Sequence, residues 1–270
     1  MYSSELHDPV VKYYDETLAV TSSREADWYL ERAQRFGGPV LDLACGAGRL
    51  SLLLLRHGFQ VTAIDYSPGM LHLLREKLER EAPDVRSRVK VLKGNMAGFD
   101  LGQKFNTIIC CDAFFHNLTV EDEIACLQAV ARHLTPQGRF LFNLPNPTCE
   151  FILAAARSED RTFERKESYP RASAPGYITV ERLERGDFAK QTIETTLRFT
   201  VYDDADNVLE QSLSSWKTRY LFKYEALHLL HRCGFAVESL VGDYGDGPPG
   251  AGGQLIFQVK LQTRDRERMS

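Results

Sequence analysis

The sequence predicts an α/β fold, a doubly wound and mainly parallel sheet with an antiparallel β-sheet inserted after its fifth strand. Three observations carry this. Short apolar runs alternate with helix-period segments from Val40 to Pro145, as in a parallel sheet covered by helices on both faces. From about Asn146 to Tyr220, turn signals and period-two segments replace that alternation, and period two is the mark of half-buried antiparallel strands. Helix and strand signals then resume in KYEALHLLHRCGF, AVESLVGDY and QLIFQVKL.

The first strand is also the most informative. Residues Val40 to Arg49, VLDLACGAGR, join an apolar run to a Gly-x-Gly turn and then to LSLLLLRHG, which suits a helix. Gly46 and Gly48 let the backbone turn sharply and approach a ligand with no Cβ in the way. A strand, a glycine turn and a helix N-terminus together make a nucleotide-type pocket. The dinucleotide fingerprint wants a third glycine where this chain has Ser51, which disfavours a pyrophosphate at that helix and a nicotinamide enzyme with it. Gln60 to Asp65, QVTAID, reads as the second strand. It ends on a carboxylate about 20 residues past the turn, the offset of an acid that accepts hydrogen bonds from two ribose hydroxyls. Ser67 and Pro68 supply the N-cap and first turn of the next helix, so Asp65 is left for a ligand.

VKVLKGN gives the third strand and KFNTIICCDA the fourth. Thr119 opens a helix with Asp122 in the capping-box position, and Ile124, Leu127, Val130, Ala131 and Leu134 mark its inner face. Pro136 and Gly138 stop it before the fifth strand, RFLFNLP. In the insertion, Ile193, Thr195, Leu197, Phe199 and Val201 share one face. Ile178 to Arg185 and Val208 to Tyr220 flank that segment across two turns, which makes a three-stranded antiparallel sheet. Such a sheet can cover an exposed edge or form a subunit contact. It can equally be a lid over the C-terminal ends of the core strands, where an open α/β sheet binds its ligands. The expected organisation is a cap segment and core over 1–145, the insertion over 146–220, completion of the core over 221–261 and a disordered tail over 262–270. The Gly/Pro-rich loop at 245–253 receives no role.

Three ordered motifs resemble those of the class I S-adenosylmethionine-dependent methyltransferases: LDLACGAGR, the acidic-loop segment AIDYSPGML and the adenine-side segment KGNMAGFD. The resemblance covers most of Pro39 to Pro145. It implies a seven-stranded Rossmann-like sheet with the insertion as substrate lid, and S-adenosyl-L-methionine as methyl donor. It further implies that Ala44 and Gly46, with Gly48 in the same turn, lie along the methionine part, that Asp65 takes the ribose, and that Tyr66 and Met70 pack near the adenine. Where the family often has Asp, this chain has Asn95, so an amide oxygen would meet the adenine amino group while the Met96 amide serves the ring. The resemblance is greatest to small-molecule enzymes, including amino-sugar and amino-acid N-methyltransferases.

Composition narrows the partners. With 43% hydrophobic and 26% charged residues, 270 residues suit a globular enzyme. A formal net charge of -4 provides no field to attract a polyanion, so an RNA substrate, or a protein substrate needing an added recognition domain, is disfavoured. A cofactor-binding scaffold without catalysis is the other alternative. The N-terminus lacks the basic-then-apolar order of a secretory signal, and a cytoplasmic protein is expected, either a monomer or a homodimer through the inserted sheet. Six cysteines without a paired spacing make no disulfide or zinc pattern, although Cys111, at a strand end, can line the cofactor cleft. The seven histidines form no ordered cluster with carboxylates, so no metal is expected.

The acceptor side rests on fewer residues. His116 follows the fourth strand in CDAFFHNL, where the family places residues beside the transferring methyl. A general base, an acceptor-orienting group and a structural histidine bonded to its own loop are all open for it, and Asn117 could hold the acceptor instead. Tyr13 and Tyr14 lie in VVKYYDETLAV ahead of the core. In relatives a tyrosine from this segment reaches the acceptor, a role the resemblance gives to Tyr14 more than Tyr13. Trp216, Arg219 and Tyr220 close the insertion and are candidate acceptor contacts, with Arg219 suited to an acidic group or to an ion pair. Transfer to nitrogen or oxygen of a small metabolite is expected, nitrogen first because no strong base pair is evident.

Overall fold

A computed structural model of the chain describes residues 9–17, 23–157, 162–172, 174–250 and 252–262. Helices α1 (Pro9–Thr17) and α2 (Ser23–Phe36) precede β1 (Val40–Leu43), α3 (Arg49–Arg56), β2 (Val61–Asp65), α4 (Pro68–Glu79), α5 (Pro83–Arg86), β3 (Val89–Lys93) and β4 (Phe105–Cys110). A single 3₁₀ turn at Phe114–His116 leads to α6 (Val120–His133) and β5 (Leu134–Pro145). The insertion holds α7 (Cys149–Arg157), β6 (Glu164–Pro170), β7 (Tyr177–Asp187), β8 (Thr192–Tyr202) and β9 (Val208–Arg219). Helix α8 (Lys223–Arg232) and strands β10 (Phe235–Gly242) and β11 (Gln254–Leu261) complete the core.

The core sheet has seven strands in the order β10-β11-β5-β4-β1-β2-β3. All of them run in one direction except β11, which is antiparallel to both of its neighbours, β5 and β10. Every residue of β1 is buried, because helices cover both faces. Alternate side chains feed two apolar clusters, Leu41, Ile108 and Phe140 on one side, Val40, Ile109 and Leu141 on the other. Strand order reverses between β1 and β4, and the crevice beyond the C-terminal ends of strands at such a reversal is where these sheets bind ligands. The capping signals are realised: the Met70 amide donates to Ser67 Oγ at 3.3 Å, and the Asp122 amide donates to Thr119 Oγ1 at 3.1 Å.

The insertion departs from expectation in two ways. It is four-stranded, in the order β6-β7-β8-β9. The added strand, ERKESYP, is a charged edge, and edge strands need no apolar alternation that a sequence could display. It also contains a helix, α7, in a stretch read as turns and strands. Ile152 and Ala155 of α7 are buried, and the helix lies close on β7 because Gly186 has no side chain; a Cβ there would stand 3.2 Å from the Ala156 amide. On the inward face, Ile178, Val180, Leu197, Phe199 and Val201 pack against Val10, Val11 and Tyr13 of α1 and against Met70. Helix α1 is thus held between lid and core.

A buried ion-pair network joins the lid to the core. At the end of β9, the Arg219 guanidinium donates to Glu123 of α6 at 2.5 Å, to Glu225 of α8 at 3.0 Å and to Gln191 at 3.1 Å. Burial, opposed by Arg219 and reinforced by Glu225, pushes the Glu123 carboxyl up to about 7. Arg219 is therefore corrected from acceptor contact to structural pin. Tyr220 is corrected likewise: β9 ends at Arg219, and beyond it Tyr220 turns to Ile152 and Ile193, away from the ligand crevice. Of the expected tail, Gln262 is tied down by its amide to the Gly234 carbonyl at 2.8 Å, and 263–270 lie outside the described residues.

Arg219→Met is expected to lower unfolding free energy by about 3 kcal/mol, since it leaves buried carboxylates without their cation. Urea unfolding at neutral pH measures this, and a loss below about 1 kcal/mol would remove the network as the link. A carboxyl raised in the folded state binds its proton there first, so the stability that Glu123 contributes declines as pH rises from 4.5 to about 7. Glu123→Gln should flatten the fall of stability across that window.

Candidate active site

A cavity of about 650 Å³ lies over the C-terminal ends of β1, β2 and β4 and under the inserted sheet, within the range of about 300–1,000 Å³ usual for small-molecule sites. Its donor end is built by the turn after β1. Ala44 and Gly46 both adopt positive φ, 61° and 54°, so the chain folds back and presents its amides. The Gly46 amide donates to Asp65 Oδ2 at 2.8 Å, and the Ser67 amide donates to Oδ1 at 2.8 Å. Each carboxylate oxygen retains acceptor capacity for a ribose hydroxyl. Burial raises the Asp65 carboxyl, with the amides of Ser67, Gly46 and Tyr66 pulling the other way.

Gly48 does something different from what the turn led us to expect. It is absent from the cavity wall, and a Cβ on it would stand 2.2 Å from Leu74 Cδ1. Its φ of 81° and its lack of a side chain let α3 start against α4. Gly46 does face the cavity; the Tyr14 hydroxyl sits 3.8 Å from where its Cβ would be. Tyr66, Met70, Asn95 and Met96 line the cavity beside Asp65. The Asn95 carbonyl oxygen accepts from the Ala97 amide at 3.0 Å, which fixes the loop as an Asx turn.

Several residues in or just behind the cavity wall are not candidates in the sequence. Ser51, read there only as a missing glycine, donates to Asp42 at 2.6 Å and holds that buried carboxylate under the turn. Burial pushes Asp42 up to about 6. Next to it, Arg49 pairs with Glu25 and reaches Cys111 Sγ at 3.4 Å and Asp112 at 3.8 Å. The ligand atoms of Glu25, Cys111 and Asp112 lie within 4.8 Å of one another, and the guanidinium is the cation placed among them. Burial, then Asp112 and Glu25, push the Cys111 thiol up, so this cavity-lining sulfur stays protonated. The residue just before the Gly/Pro-rich loop braces this group. Tyr244 packs on Trp28 and Tyr29, with its hydroxyl 3.9 Å from Cys111 Sγ.

The acceptor end is formed by the 3₁₀ turn, α1 and the lid. His116, Asn117, Tyr14 and Trp216 all line it. Burial pulls the His116 imidazole down to about 4 despite its hydrogen bond to the Lys217 backbone of β9. Asn117 is buried and donates to the Phe114 carbonyl at 2.9 Å and to Met96 Sδ at 3.4 Å, so it holds the loop. Burial raises the Tyr14 phenol to about 12, and it remains a proton donor at neutral pH. Tyr13 does not reach the cavity. Its ring packs 5.5 Å from Phe199, because neighbours on a helix point about 100° apart. Arg182 of β7, which the sequence reading passed over, also lines the cavity.

Residues 40–138 match the family model described as a methyltransferase domain. Over 249 residues the chain is 29% identical to "Putative methyltransferase YqeM" of Bacillus subtilis (strain 168), covering 90% of this chain and 92% of that one. The ubiquinone biosynthesis O-methyltransferase of Xanthomonas oryzae pv. oryzae (strain PXO99A) is 34% identical over 134 residues, 49% of this chain and 54% of that protein. The crystal structure of the glycopeptide N-methyltransferase MtfA complexed with sinefungin superposes with a TM-score of 0.60 at 25% identity, covering 93% of this chain and 91% of that one. Together these matches support a class I S-adenosylmethionine-dependent methyltransferase. The donor end of this methyltransferase fits its cofactor: Asp65 presents lone pairs where a ribose would lie, and Gly46 leaves its cavity side clear of a Cβ.

For the methyltransferase, Asp65→Ala is expected to weaken binding of S-adenosylhomocysteine by about 1.5–3 kcal/mol through lost charge-assisted hydrogen bonds. Calorimetry reads this directly, and an unchanged affinity would take Asp65 out of the site.

Proposed function

We propose that this methyltransferase alkylates a neutral amine nitrogen of a small metabolite, which enters between the inserted sheet and the 3₁₀ turn. The observation that carries the reading is the state of His116. A base with a pKa of about 4 lies too far below neutrality to take a hydroxyl proton efficiently. Tyr14 is equally unsuited, being a phenol up to about pH 12. Each carboxylate on the wall already has a partner: Glu25 has Arg49, Asp42 has Ser51 at 2.6 Å, Asp65 has the Gly46 and Ser67 amides at 2.8 Å, Asp112 has Asn143 at 2.5 Å and Asp122 has Thr119 at 2.8 Å. An amine that sheds its proton to water before transfer needs no such base. The acid-rich wall also favours the approach of cations, including a protonated amine. The O-methyltransferase match spans only about half of this chain, whereas the N-methyltransferase match extends across the inserted sheet as well.

When bound, the cofactor supplies an electrophilic methyl on a sulfonium, so the remaining task of the protein is alignment and exclusion of water. A neutral imidazole that donates to the Lys217 carbonyl carries its lone pair on the other nitrogen. His116 can therefore accept an N–H of the acceptor and turn the nitrogen lone pair toward the methyl. The Tyr14 hydroxyl, above Gly46, bounds the acceptor from the opposite side. Because Lys217 belongs to the lid, closure of the lid and orientation of His116 are one event.

A screen of amine and hydroxyl metabolites with isotopically labelled methyl donor tests the proposal, and label confined to hydroxyl products would refute it. His116→Asn should lower kcat by about 10–100-fold, a positioning effect, with little change in cofactor affinity. In both proteins kcat/KM should rise with pH along the acceptor's own ammonium titration. An inflection present in wild type and lost in His116→Asn would make His116 the base instead.

A further inference from the structure

Strand β7 carries Ile178, Val180 and Arg182 in succession on the face turned toward the core. The first two are buried in the apolar cluster with α1, and two residues further on the stripe changes to a guanidinium. In register, Arg182 stands opposite Leu197, and Leu197 opposite Ser214; the next row is Glu184, Thr195 and Trp216. Arg182 and Trp216 are thus near neighbours on one inner surface, and both line the cavity.

An arginine on the inner face of a sheet is partly stripped of water, and an anion beside it offsets that loss. The outward-facing arginine of the adjacent strand has one: Arg198 grips Glu181 with two hydrogen bonds of 2.7 Å. Among the described residues, the ion pair of Arg182 is with Glu184 at 3.6 Å, outside hydrogen-bonding range, and its side chain is 44% exposed. Among the described residues lining the cavity, the cations are Arg49 and Arg182, and Arg49 is held by Glu25. Most of the cavity's carboxylates, Glu25, Asp42, Asp65 and Asp112, therefore lie around the donor turn, with Asp122 at the start of α6 and a guanidinium on the lid.

We propose that Arg182 anchors the methyl acceptor by binding an anionic group on it, a carboxylate or a phosphate, while the amine of the same molecule lies at His116. This rests on the amine reading above and deepens it: the acceptor is zwitterionic, aligned by the charge gradient from lid to donor turn. A guanidinium suits either anion through paired N–H donors. The sequence carried a signal for this residue, namely a charge at a position where the alternation Ile178, Val180 calls for another apolar side chain.

The test uses the intact protein saturated with S-adenosylhomocysteine. The Nε–H resonance of Arg182, assigned by its loss in Arg182→Met, is followed while inorganic phosphate or acetate is added against chloride at equal ionic strength. A saturable shift with one of the two anions and none with chloride is expected, and which anion acts separates a phosphate-bearing from a carboxylate-bearing acceptor. No saturable shift with either anion overturns the proposal. With the amine found in the labelled-methyl screen, Arg182→Met should raise KM at least tenfold with kcat largely kept, and Arg182→Lys should recover part of the loss. An unchanged KM also overturns it. Anion binding at Arg182 with no amine methylated would refute the amine reading and leave the anion site standing, so the two failures are distinct.

Discussion

The carboxylate of Asp65, at the end of β2, reaches the backbone of the turn that ends β1, and the rest of the site is arranged around that contact. One oxygen takes the Gly46 amide and the other the Ser67 amide, each at 2.8 Å. The contact locks two adjacent parallel strands where their C-terminal ends open, and it holds the start of α4 in place. Ala44 and Gly46 at positive φ are what bring the amide within reach. Such backbone conformations persist only where the surroundings over-determine them, and here the Asp65 clasp and the Asp42–Ser51 pair below it do so. A rigid platform follows, built from backbone amides more than from mobile side chains.

The acceptor half has a different physical basis. Its wall belongs to an inserted sheet that meets the core through α1, through the His116–Lys217 hydrogen bond and through the buried Arg219 network. The first contact is apolar and tolerant of sliding, while the network fixes one end of β9 by charge and direction. Trp216 lies three residues before Arg219 on that strand, so whatever holds Arg219 sets where the lid meets the cavity. The donor turn can therefore stay constant while the lid varies, which lets one scaffold take different acceptors.

The donor half was legible in the sequence because its signals are local. A strand, a turn and a carboxylate at fixed offset each fall within a few residues, and the capping residues Ser67 and Thr119 mark their helices unaided. The legibility ended where the determinants are distant pairings. Arg219 read as a candidate acceptor contact because Glu123 and Glu225 meet it only in three dimensions. Gly48 read as a ligand-side glycine because its neighbour Leu74 lies on another helix. The charged edge strand β6 has no alternation to read, and α7 is nine residues long, short enough for turn signals to mask it. Arg49 and Glu25, far apart in sequence, gave no hint of the pair they form beside the turn.

A crystal structure of the protein with S-adenosylhomocysteine would show directly whether the cofactor lies on the Asp65 clasp. The ribose hydroxyls are expected on the Asp65 carboxylate, the amino-acid end beside the turn at Ala44 and Gly46, and the sulfur facing the gap between Tyr14 and His116. A ligand bound elsewhere, or bound at the turn with its sulfur directed away from His116 and the lid, would contradict this placement.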